Sequence, residues 1–247
     1  MCGIFGFIGK RAAAPLLVEG LRRLEYRGYD SSGIVVKNGS LQVHKKVGKV
    51  SELSKVLPNH IAGNSGIAHT RWATHGGVTD ANAHPHLSEN ESIAVVHNGI
   101  INNSRDLRNR LEQRGFELKS ETDSEALVHM ISIGIESGQE PLEAVRQTLK
   151  RATGTWGLCV LFKDHDLIVC ARNGSPLILG KGDGESFIAS DPHALSQHTQ
   201  NFYFLEDGDM AVVTRDGIDI SRLEGGMSST SMTVIEDEWG EADMAGF

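Results

Sequence analysis

Residues 156–162 (WGLCVLF) carry no charge. Six further runs follow at short intervals: 167–171 (LIVCA), 176–180 (PLILG), 186–190 (SFIAS), 201–205 (NFYFL), 210–214 (MAVVT) and 217–221 (GIDIS). Each is shorter than a core helix and rich in β-branched or aromatic residues, and Gly, Asp, Asn and Pro separate them. That is the pattern of successive strands. Asp216-Gly217, between the last two, marks a hairpin turn.

Upstream the period changes. Residues 2–9 form a short buried strand, and 13–24 place Leu17, Leu21 and Leu24 on one helical face. Residues 34–36 and 41–43 flank Asn38-Gly39 as a β-hairpin. Ser51 caps a short helix that ends before Pro58. Residues 66–72 form a strand, 73–92 a long polar loop, and 93–96 a strand that runs into His97-Asn98-Gly99. Ser104 opens a helix carrying Leu107 and Leu111 and closed by Gly115. Asp123 stands at the start of a helix over 125–135, and Pro141 in the first turn of another. Two blocks of strands with helices grouped between them predict an α+β domain with antiparallel sheets rather than alternating βαβ units. From residue 225 the chain becomes polar and then acidic. The expected division is a domain over 1–225 and a tail or linker over 226–247.

The chain has 247 residues, 39% of them apolar, enough for one substantial core. The formal net charge of −8 argues against a nucleic-acid partner, because such binding rests on Lys/Arg clusters that neutralise phosphates. No apolar run approaches the roughly 18 residues of a membrane helix, so no membrane partner is expected. The short segment CGIFGFIG is followed, not preceded, by basic residues and does not resemble a secretory signal. The expected compartment is the cytoplasm, with reduced thiols. Cys159 and Cys170 lie in apolar runs and read as buried core thiols.

The remaining cysteine is Cys2. Its small side chain permits removal of Met1, which would put a thiol and a free α-amine on one residue. An α-amine titrates near about 7.7–8.0, so it can accept the thiol proton; nucleophile and base then come from one residue. Thiolate attack on an amide also needs donors for the developing oxyanion. The Asn98 amide and the Gly99 N–H offer them at a strand end, although Asn-Gly by itself is equally the commonest turn dipeptide. His69, His75, His84, His86 and His97 crowd one region, but without a partnering Cys or H-E-x-x-H spacing. No metal or other cofactor is expected.

Five segments in order, CGIFGFIG, YRGYDSSG, the THGG loop, HNGI and ETDSE, resemble the N-terminal-nucleophile (class II) glutamine amidotransferases. The likeness extends to about Asp219. Within that family LEYRGYDS, AHTRWATHG, NAHPH and ARNGSPLILG are similar to the glutaminase domain of the glutamine–fructose-6-phosphate aminotransferase branch; the purine branch more typically shows HRGQD and RYxTxG. The resemblance implies a four-layer α-β-β-α sandwich of two antiparallel sheets. It implies a glutaminase in which Cys2 forms a γ-glutamyl thioester and Asn98 and Gly99 form the oxyanion hole. Arg71 would clamp the glutamine α-carboxylate with help from Thr74 and His75, Asp123 would receive the α-ammonium, and Trp72 would cover the site. Arg27, Tyr29 and Asp30 would support these groups from behind. The implied partners are L-glutamine and sugar-isomerase domains, fused or separate, that use the ammonia to make glucosamine 6-phosphate. Nothing in the chain resembles those domains.

Overall fold

The computed structural model describes residues 2–73 and 76–235. In order come β1 (Gly3–Ile8), α1 (Ala13–Leu24), β2 (Ser31–Lys37), β3 (Leu41–Val47), α2 (Val50–Val56), β4 (Ser65–Arg71), β5 (His86–Leu87) and β6 (Ile93–Ile101). Three helices follow: α3 (Ser104–Glu112), α4 (Ser124–Glu136) and α5 (Pro141–Leu149). The second half holds β7 (Gly154–Phe162), β8 (Ile168–Asn173), β9 (Ile178–Gly182), β10 (Glu185–Ala189), β11 (Asn201–Phe204), β12 (Asp209–Val213), β13 (Ile218–Arg222) and β14 (Thr233–Val234).

The strands form two sheets, ordered β14-β11-β9-β10-β1-β4-β2-β3 and β13-β12-β8-β7-β6-β5. Every ladder between them is antiparallel. Alternation along each strand assigns its side chains to one of two cores. In β1, Ile4 and Ile8 point into the space between the sheets, with Val35, Ile67, Val96, Leu161 and Ile188. Phe5 and Phe7 point the other way, against Leu17, Leu21 and Leu24 of α1. In β7, Cys159 and Leu161 face the inter-sheet core, while Leu158, Val160 and Phe162 pack under Leu107, Leu111, Leu127 and Val145 of α3, α4 and α5. The layers are therefore helix, sheet, sheet, helix. Antiparallel strands with one wet face alternate in polarity; these read as unbroken apolar runs because both faces are covered. Cys159 and Cys170 face each other across β7 and β8, fully buried, with sulfurs 3.8 Å apart.

Some local expectations change. Asn98-Gly99 is not a turn: β6 continues through it, pairing Asn98 with Gly157 and Gly99 with Trp156. Ser51 lies inside α2, which begins at Val50, and the Val50 N–H is accepted by Glu25 Oε1 at 2.7 Å. The loop over 73–92 contains the short β5, paired with β6. Residues 226–235, read from sequence as the start of a tail, run along the body. Ser228 Oγ and Thr230 Oγ1 each donate to the buried Asp209 carboxylate at 2.7 Å, and β14 pairs with β11. Residues 236–247 lie outside those described.

Candidate active site

Cys2 stands at the head of β1, which lies between β10 and β4 within its sheet. Because β1 and β4 run antiparallel with Gly3 opposite Thr70, the thiol comes to rest beside the residues that follow β4. The Trp72 N–H donates to Cys2 Sγ at 3.2 Å. That N–H is held in place from behind. A Cβ on Gly28 would stand 2.8 Å from both the Arg71 carbonyl carbon and the Trp72 nitrogen, so only glycine lets the 27–29 turn lie this close. The Asp30 N–H donates to the Arg71 carbonyl at 3.0 Å, and Asp30 Oδ2 accepts from the Ala73 N–H at 2.9 Å. The YRGYD segment thus clamps the end of β4 without touching the thiol.

Cys2, Arg27, Trp72, Asn98 and Gly99 line one cavity of about 230 Å³, together with Ile100, Thr155, Ser175 and Pro176. Asn98 arrives from the second sheet. Its Nδ2 donates to the Cys2 carbonyl at 2.9 Å, and its Oδ1 lies 2.9 Å from His69 Nε2 on β4. Gly99 has φ of +136°, and a Cβ there would meet the Thr155 carbonyl oxygen at 2.2 Å. A side chain is excluded on both counts. Trp72 is 44% exposed at the mouth, its ring edge-on to Tyr29 with centroids 5.4 Å apart. Arg27 donates to Asp191 Oδ2, which also accepts from Tyr26 at 2.7 Å.

Arg71 and Asp123 do not line this cavity, but the charge of Arg71 acts on the Cys2 thiol and that of Asp123 acts on Arg71. Arg71 is almost fully buried and donates to the Gly77 carbonyl at 3.0 Å. Burial weakens its hold on its proton, and the charges of Cys2, Asp30, Asp123 and Glu121 oppose that. Asp123 precedes α4; its Oδ2 accepts from the Ile101 N–H at 2.7 Å and its Oδ1 from Ser124 Oγ at 3.2 Å. The carboxylate is therefore tied to the strand that carries Asn98 and Gly99. Thr74 and His75 lie outside the described residues. Burial pushes the Cys2 thiol up; the Trp72 N–H and the Arg71 charge pull against it.

Four of the crowded histidines, His69, His84, His86 and His97, form a buried wall beneath the site. The His69 and His84 rings lie 4.2 Å apart at a tilt of 32°, and His84 meets His86 edge-on at 4.6 Å. Burial holds His69 and His86 down to about 3, and His84 and His97 below the ordinary histidine range. All four are neutral rings near pH 7. Among the described residues no group of three His, Cys, Asp or Glu side chains is spaced to hold a metal ion.

Residues 69–197 match the family described as a glutamine amidotransferase domain. The chain belongs to that family. Among relatives of this glutamine amidotransferase domain, the glutamine–fructose-6-phosphate aminotransferase (isomerizing) of Shewanella oneidensis is 50% identical over 228 residues, covering 91% of this chain and 37% of that protein. The protein of that name from Chlorobaculum tepidum is 46% identical over 262 residues, covering 100% of this chain and 41% of its own. The chain thus spans about two fifths of the length of the curated relatives it matches. Among solved structures, the glutamine phosphoribosylpyrophosphate amidotransferase of B. subtilis superposes with a TM-score of 0.78 at 26% identity, over 90% of this chain and 49% of that one. The glutamine amidotransferase fold is the α+β sandwich expected from sequence.

Sequence reasoning missed several residues that line or support this amidotransferase cavity. Asp191, which anchors Arg27, carries no motif that marks it. Ser175 and Pro176 fall within the quoted ARNGSPLILG but had no assigned role. His69 was grouped with its neighbours as a metal suspect, although its place in AHTRW, one strand away from HNG, could have paired it with Asn98.

Proposed function

We propose that this chain hydrolyses L-glutamine to glutamate and ammonia through Cys2, once removal of Met1 frees the α-amine. The observation that carries the reading is the shared cavity: one thiol, the Asn98 amide and the Gly99 backbone converge on the same space. The α-amine takes the thiol proton, and sulfur attacks the carboxamide carbon of the substrate. The oxyanion is met by the Gly99 N–H and by Asn98 Nδ2, which has two hydrogens and uses one on Cys2. The tetrahedral adduct collapses as the amine returns its proton to the leaving nitrogen. Ammonia departs, a γ-glutamyl thioester remains, and water then cleaves it to glutamate and the free thiol.

Arg71 reads the substrate α-carboxylate through paired, charge-assisted hydrogen bonds, and Thr74 and His75, which follow it in sequence, add hydrogen bonds to the same carboxylate. Asp123 takes the α-ammonium. A cation for the α-carboxylate and an anion for the α-ammonium favour a free amino acid over a glutamine side chain within a peptide. Trp72 covers the mouth.

The ammonia serves the conversion of fructose 6-phosphate to glucosamine 6-phosphate on sugar-isomerase domains, fused or separate, in the cytoplasm. The similarity to aminotransferases of that name supports this branch. No helix among the described residues is long and apolar enough to cross a membrane.

The test is to incubate the chain with L-glutamine and assay glutamate and ammonia, expected in equal amounts. Fructose 6-phosphate and a separately prepared sugar-isomerase half are then added, and glucosamine 6-phosphate should appear. Hydrolysis of asparagine or of peptide-bound glutamine at a comparable rate would contradict the assignment of Arg71 and Asp123.

A further inference from the structure

Asn98 can serve an oxyanion only if its amide presents nitrogen, not oxygen, to the cavity. The two ends of that side chain are nearly equal in size, so packing alone does not choose between them. The choice is made by partners. One is the Cys2 carbonyl, which can only accept and lies 2.9 Å from Asn98 Nδ2. The other is His69 Nε2, 2.9 Å from Asn98 Oδ1. Asn98 Oδ1 can only accept, so the His69 ring must carry its hydrogen on Nε2. The ring is 1% exposed, sits on β4 opposite Ile4 of the nucleophile strand, and packs against the His84 ring at 4.2 Å. It therefore has little freedom to swing away.

We propose that His69 is a positioning residue for glutamine hydrolysis: its Nε2–H fixes the Asn98 amide with nitrogen toward the nucleophile. This rests on the glutaminase reading above. Without that donor only the Cys2 carbonyl holds the amide, which is then free to pivot about that single bond and lose its aim at the developing negative charge. His69 touches neither thiol nor substrate in this account, and no proton moves through it.

The experiment compares two variants of similar size, His69→Gln, which keeps an N–H donor, and His69→Met, which has none. Glutaminase kcat and KM are measured for both, together with the rate of Cys2 alkylation by iodoacetamide, a displacement that needs no oxyanion hole. His69→Met is expected to lower kcat on the order of 100-fold, the usual consequence of losing one such donor. KM and alkylation should stay within about threefold of the parent, and His69→Gln should recover most of kcat. In an Asn98→Ala background the His69→Met effect should vanish, which a merely structural defect would not do. If His69→Met does not fold, His69→Phe takes its place. A folded non-donor variant with parental kcat would overturn the proposal, as would His69→Gln no better than His69→Met. A parent chain with no Cys2-dependent hydrolysis overturns the glutaminase reading and this proposal with it. A parent that hydrolyses glutamine while the variants match it overturns the proposal alone.

Discussion

Cys2→Ala is expected to lower glutamate release from glutamine by at least about 10⁴-fold, the scale seen when a covalent nucleophile is deleted. Cys2→Ser should fare little better, because a hydroxyl holds its proton far more tightly than a thiol and the α-amine is matched to the thiol. A chain that keeps Met1, or carries a tag before Cys2, retains the sulfur but turns the base into an amide. Its loss should be the share usually attributed to general-base catalysis, about 10²–10⁴-fold. The pH profile follows the same logic. The amine must be unprotonated to act, so kcat/KM should rise through the α-amine range near about 7.7–8.0 and flatten above it. Glutamate release by Cys2→Ala at more than a few per cent of the parent rate would remove Cys2 from the mechanism.

Stability should fall steeply as pH drops from 7.5 to 5, before the carboxylates protonate. His69 and His86 are held near 3 and His84 also lies well below its ordinary value, in each case chiefly by burial. In the unfolded chain each titrates near about 6.5. Folded pKa values lie below unfolded ones, so between those limits the unfolded state binds more protons. The stability is fully present above about pH 6.5 and is lost as pH falls toward the folded values. Each histidine costs about 1.4 kcal/mol per pH unit, so about 2 kcal/mol at pH 5 and about 4 kcal/mol for His69 and His86 together, with His84 acting in the same direction. That is a large part of the 5–15 kcal/mol typical of a whole domain. Carboxylates behave differently here. Burial pushes Glu125 up, but His129 and the N–H groups of Lys119 and Ser120 outweigh it and hold it near 2. Its contribution is lost only as pH falls below its unfolded value of about 4.3. Urea unfolding at several pH values tests this: a stability unchanged between pH 7.5 and 5 would contradict it, and His86→Gln should reduce the slope by about one proton.

The layers were legible because patterning is local. Alternation in β1 and β7 sends neighbouring residues to different cores, and the period of α1 sets one leucine face on Phe5 and Phe7. Asn98-Gly99 was not legible locally, since the same dipeptide at Asn38-Gly39 does make a turn. What keeps 98–99 extended is the pairing of Asn98 with Gly157 and of Gly99 with Trp156 on β7, distant in sequence, beside the contact of His97 Nε2 with the Thr155 carbonyl. Ser51 had the chemistry of a cap, but the carboxylate of Glu25, brought across by the fold, occupies that position. Residues 226–235 lack an apolar pattern and are held instead by hydroxyls on the buried Asp209, a partner that no local period reveals. Motif order carried most of the site; the anchoring by Asp191 and the orientation of Asn98 by His69 are contacts between strands and had no motif.

The central claim is that Cys2, with its own α-amine free, is the nucleophile. The most direct measurement is intact mass and peptide mapping after incubation with a glutamine analogue that bears an electrophile at the γ-position. The account predicts a chain lacking Met1, one adduct, on Cys2, and protection by excess L-glutamine. An adduct on Cys159 or Cys170, or full labelling and turnover with Met1 still in place, would contradict it.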